Sequence, residues 1–126
     1  MKKKEVNGKL DILLETQTIT SQAYQVTNQT FDFMKNSFQC ETIKHSEMFW
    51  VHMAMALTRI ENGETVEGPS NAILQEVYQT PHRKEIEKVI SYVSAAINEE
   101  LPKEERGFFY LHLHGVVENN KQEVSK

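Results

Sequence analysis

Ile86, Val89, Ile90, Val93 and Ile97 put a large aliphatic residue at every third or fourth position. That spacing gathers them on one face of an α-helix, whereas a strand would scatter them over both faces. A helix with one apolar stripe has to bury it against other elements. The rest of the chain supplies partners of the same kind. Ala23, Val26 or Thr27, Phe31, Met34 and Phe38 recur at helical spacing, and so do Phe49, Met53, Ala56 and Ile60. Ile73, Leu74, Val77 and Tyr78 mark a helix of about two turns, too short to hold in water unless it rests on larger ones.

Boundary residues agree with this pattern. Thr20 or Ser21 can cap a helix running to about residue 38. A second helix spans about residues 45–61 and stops at Asn62-Gly63, with Gly suited to the left-handed position beyond a helix end. Ser70 caps the short helix, and Thr80-Pro81 ends it and starts the next. Leu101-Pro102-Lys103-Glu104-Glu105 restarts the chain, with acidic residues favoured near a helix N-terminus. Tyr110, His112 and His114 alternate with Leu111, Leu113 and Gly115, which also permits a strand; the Pro-plus-acid start favours a helix to about residue 118. The expectation is an all-α, compact bundle of about five helices over residues 10–118. Residues 1–9 are expected to be a flexible N-terminus and residues 119–126 a polar tail.

Composition narrows the functional classes. A net charge of -4, with no basic block beyond Lys2-Lys3-Lys4, argues against direct nucleic-acid binding. The apolar runs fall short of the ~20 residues of a membrane span, and no apolar segment follows the lysines as in a signal peptide. Cys40 is the one cysteine, which excludes an internal disulfide and a Cys-rich zinc site and suits the cytoplasm. No nucleophile elbow, kinase motif or acid/base pair is present, so neither enzyme activity nor a cofactor is expected.

The chemistry concentrates in two apolar stretches that carry histidines. In the first, residues 49–59, His45, Met48, His52, Met55 and Arg59 share a line beside the core stripe. His52 there is either a histidine satisfied by a neighbour or a titratable group whose ring can be phosphorylated. Arg59 offers a fork suited to phosphate or carboxylate. In the second stretch His112 lies in line with Phe109 and Val116, with the same two readings. His114 turns to another face of a helix, so His112 and His114 make a poor helical metal pair, and no metal site is expected. Glu99-Glu100 and Glu104-Glu105 read as solvated faces. Cys40 reads as an incidental thiol in a polar joint.

The two stretches together resemble a known family. His52-Met53-Ala54-Met55-Ala56-Leu57-Thr58-Arg59, followed by Gly63, is similar to the first signature of the PRD, the phosphotransferase-system regulation domain. Leu101-Pro102, the acidic Glu104 or Glu105, and Gly107-Phe108-Phe109-Tyr110-Leu111-His112-Leu113 resemble the second. The short helix around residues 73–78 lies between them, as in the family. The resemblance implies a helical bundle that pairs as a homodimer. It implies that His52 and His112 are phosphate acceptors. Their donors would be the phosphotransferase-system phosphocarrier or an enzyme II component. Val51 stands where many members have Asp before the first histidine. With no output module in view, the resemblance implies a stand-alone domain that regulates transcription or carbohydrate uptake through a partner in trans. The alternative is a non-phosphorylated helical dimerisation or scaffold protein.

Overall fold

The Ile86–Val93 stripe is the inner face of α5 (Arg83–Ile97), and all four of its aliphatic residues are buried. The computed structural model describes residues 1–124, with side chains as far as Asn120. The other helices are α1 (Lys3–Glu15), α2 (Ser21–Phe38), α3 (Glu47–Glu61), α4 (Asn71–Tyr78) and α6 (Lys103–Val124). All regular structure among the described residues is helical.

The turns work as their residues suggest. Thr20 Oγ1 accepts from Ala23 N at 3.1 Å and starts α2, and Ser70 Oγ accepts from Ile73 N at 3.3 Å and starts α4. Gly63 has φ of 73° just beyond α3, and Asn98 takes the left-handed conformation after α5. Ser46 precedes α3 without capping it. Its hydroxyl donates to Ile43 O and accepts from the indole Nε1 of Trp50 at 2.8 Å. Satisfying that buried donor takes precedence over the cap.

α2 packs against α1, α3, α5 and α6, while α6 also packs against α3, α4 and α5. The core lies between them around Phe31, Trp50, Met53, Tyr110 and Leu113. Phe31 and Trp50 stand 5.1 Å apart in a tilted contact. Of the stripe expected on α3, Phe49, Met53 and Ala56 are buried, and Ile60 is half-buried against the core.

Three expectations need revision. There are six helices rather than about five. At the N-terminus one or two helical turns were expected around Leu10–Leu14, after a flexible segment over residues 1–9; instead α1 already begins at Lys3. Val6 extends the apolar stripe of Leu10, Leu13 and Leu14 back by one turn, and both Val6 and Leu10 are buried. Lys3 Nζ holds this helix to Asp32 on α2 at 2.6 Å. Second, α6 continues to Val124. Asn120, placed in the expected tail, is buried; it accepts from Lys44 N at 2.8 Å and donates to Lys44 O at 2.9 Å. The last two positions of that tail, 125–126, lie outside the described residues. Third, His45 lies before α3 with φ of 53°, so it is not in line with His52.

Residues 110–115 are helical, which removes the strand alternative. No described helix is long and apolar enough to cross a membrane.

Candidate functional site

α3 presents His52 and Arg59, and α6 presents Glu105 and His112. In each pair the residues are seven positions apart, which is close to two helical turns and about 10 Å along the axis. His52 meets His112, and Arg59 meets Glu105. Numbers rise along α3 as they fall along α6, so the helices pack antiparallel and the two contacts form rungs two turns apart.

In the first rung, His52 Nδ1 lies 3.0 Å from His112 Nε2, and the rings meet edge-on with centroids 4.8 Å apart. His52 is exposed and His112 is half-buried, with the Phe49 ring 6.3 Å away. Burial, and secondarily the proximity of His52, lower the His112 pKa from its ordinary value. His112 therefore resists a proton that a solvated imidazole would accept at mildly acid pH.

In the second rung, Arg59 Nε donates to Glu105 Oε2 at 3.1 Å and Arg59 Nη2 donates to Glu105 Oε1 at 3.0 Å. This is the two-pronged geometry that makes Arg–carboxylate pairs strong. Glu105 is only 2% exposed. The sequence reading of Glu104-Glu105 as a solvated pair holds for exposed Glu104 and fails for Glu105. Glu105 is four residues before the buried Phe109, so it lies on the face of α6 that meets α3. Arg59, the phosphate-binding candidate, is already engaged there.

A cavity of about 300 Å³ spans the two rungs. Phe49, Met53, Met55, Ala56, Phe108 and Phe109 supply its apolar walls, with the histidine pair and the Arg59–Glu105 pair as its polar groups. Gly107 helps position this end of α6. A Cβ there would lie 3.0 Å from Leu74 Cδ2 and 3.2 Å from Pro69 Cδ, so the bare glycine lets α4 and the preceding loop settle on the helix without the small shift a side chain would force. On the opposite side, Tyr110 donates to Glu87 of α5, which also takes Arg106 Nη2 at 2.7 Å. Burial, then that hydrogen bond, push the Tyr110 hydroxyl up to about 12.

The remaining histidines have other partners. Thr80 Oγ1 and His114 Nδ1 share a hydrogen bond at 2.7 Å, and His82 Nε2 pairs with the Glu118 carboxylate. The two rings are 6.0 Å apart, and these bonds join the α4–α5 turn to α6. Among the described residues no group of three His, Cys, Asp or Glu side chains is arranged to hold a metal ion. Cys40 is half-buried, and burial pushes its thiol pKa up, away from a reactive thiolate.

His52, Arg59 and His112 were visible as candidates in the sequence, and all three line one cavity. Glu105 was missed. The signal that could have found it is its seven-residue offset from His112, which mirrors the offset from His52 to Arg59.

Comparison with known families follows the same boundaries. The model of the PRD domain matches residues 41–116 of the 126, more than half of the chain. The matched segment contains both rungs and leaves α1 and α2 outside it. No curated protein and no solved structure matches the chain. The chain belongs to the PRD family.

Proposed function

We propose that this PRD-family chain is a regulatory module of carbohydrate uptake or transcription, phosphorylated at its His52–His112 pair by a phosphotransferase-system phosphocarrier or enzyme II component. It acts in the cytoplasm on a partner in trans and has no enzyme activity of its own. The observation that carries this reading is the contact of two histidines sixty positions apart, at 3.0 Å, beside an apolar cavity. A phosphoryl group brings nearly two negative charges and several strong acceptors. Added to a pair to which, among the described residues, no carboxylate or arginine is bonded, the group changes the charge of this surface outright. A change of that kind acts as a switch only if it favours one packing over another.

A homodimer is part of the proposal. Met48, one turn before His52, is 64% exposed, and Leu111, next to His112, is 37% exposed. Apolar side chains flanking the pair suit a second copy that would sense the charge. The same residues favour the second reading, a helical dimerisation or scaffold protein that is never phosphorylated.

The test is incubation of the full chain with the phosphotransferase carrier, its kinase and phosphoenolpyruvate, followed by mass mapping under non-acidic conditions. A label on the His52–His112 pair is expected, and its absence from both rings would sink the phospho-switch. Partner binding that survives unchanged in a His52→Ala/His112→Ala double variant, and is indifferent to the donor system, would favour the scaffold.

A further inference from the structure

The His52–His112 contact uses one nitrogen of each ring and leaves His52 Nε2 and His112 Nδ1. The two remaining positions are unequal. His52 is exposed, whereas His112 is half-buried beside Phe49. We propose that the histidines are not equivalent acceptors: His52 takes the phosphoryl group on Nε2, and His112 is a positioning residue that holds the His52 ring and receives its Nδ1 proton. This rests on the regulatory reading above and divides the labour within it.

The chemistry follows from the ring geometry. A neutral imidazole attacks through its unprotonated nitrogen, so attack from His52 Nε2 requires the proton on Nδ1. His112 Nε2 is the acceptor for that proton at 3.0 Å. The donor is a phosphohistidine on another protein, protonated at its second ring nitrogen. The Nε2 lone pair of His52 forms the new N–P bond as the donor's N–P bond breaks, and the donor imidazole leaves as a neutral ring with the bonding pair. His52 then carries the phosphoryl group on a positively charged ring. Its Nδ1 proton passes to His112 Nε2, leaving a neutral phosphoimidazole beside an imidazolium.

Two further observations support this division. Burial and the nearby His52 keep His112 in its neutral, proton-accepting form before the reaction. Once His52 bears a phosphoryl dianion, the opposite charge on His112 is favoured instead. A second phosphoryl group on His112 would put two multiply charged groups on rings 4.8 Å apart. Arg59 cannot neutralise them from where it stands, because its fork is bound to Glu105 two turns away. The pair therefore takes one phosphoryl group.

The experiment treats the full chain with potassium phosphoramidate at neutral pH. Labelled peptides are mapped under non-acidic conditions, and the imidazole nitrogens are resolved by 15N NMR. One phosphoryl group on the pair is expected, on His52 Nε2. His112→Gln retains an oxygen that can accept the Nδ1 hydrogen bond and cannot take the proton; it should keep the same isomer and react about a hundredfold more slowly. His112→Leu frees His52 Nδ1 and should spread the label over both ring nitrogens. Circular dichroism confirms that each variant is folded, and the glutamine variant serves if the leucine variant is not. A label on His112, two phosphoryl groups on one pair, or His52 labelled on Nδ1 in the unaltered chain would overturn the division of labour and leave the regulatory reading intact. No label on either ring, while another histidine is modified, would defeat the regulatory reading itself.

Discussion

The two rungs between α3 and α6 join the same helices with opposite kinds of chemistry. Arg59 and Glu105 are charged under ordinary conditions, bonded at two points and closed off on the Glu105 side. His52 and His112 share a single bond, one ring faces solvent, and their charge depends on protons. One rung clamps the helices. The other leaves their neighbouring surface free to change charge without giving up the clamp. Under the proposed phosphorylation this separation is useful, because the group that changes is not the one that secures the packing.

Breaking the clamp should have the largest effect, and an unequal one. Arg59→Met leaves Glu105 buried without a partner, and about 3 kcal/mol of unfolding free energy should be lost in urea at pH 7. Glu105→Gln leaves Arg59, whose side chain is 29% exposed and can turn to water. Its cost should be smaller, roughly 1–2 kcal/mol by the same measurement. Equal losses in the two variants would refute the asymmetry.

The histidine rung should show itself through pH. The folded-state pKa of His112 is depressed below its ordinary value of 6.5. The unfolded chain therefore binds a proton that the folded chain resists, and this contribution to stability is full above 6.5 and declines as pH falls through it. Urea titrations at several pH values should show that slope, and His112→Gln should flatten it. The smallest stability effect is expected at the exposed ring. His52→Gln should stay within about 0.5 kcal/mol of the unaltered chain, yet lose the phosphoryl label. A large loss of stability there would make His52 part of the clamp and dissolve the contrast.

Much of the architecture was legible in local spacing. The stripes on α2, α3 and α5 lie on buried faces, and Thr20, Gly63 and Ser70 act at the helix ends where their chemistry points. α1 was harder to read because Val6 stands among Lys and Glu, and its burial depends on α2 and α3 being beside it. Glu105 was misread for a related reason. Adjacent acids near a helix start usually face water, and only the arrival of α3 turns one of them inward. Asn120 is the same case at the far end of α6, a polar residue made internal by the backbone of Lys44.

The sequence alone determined that the chain is helical, where most helices start and stop, and which histidines stand in apolar surroundings. Those properties depend on residues within a few positions of one another. Only the tertiary structure decided that His52 meets His112 and that Glu105 occupies Arg59, across separations of sixty and forty-six positions. Those meetings depend on the direction and register of α3 against α6. That register is the joint result of many side chains packing at once, including the bare face of Gly107 under Leu74.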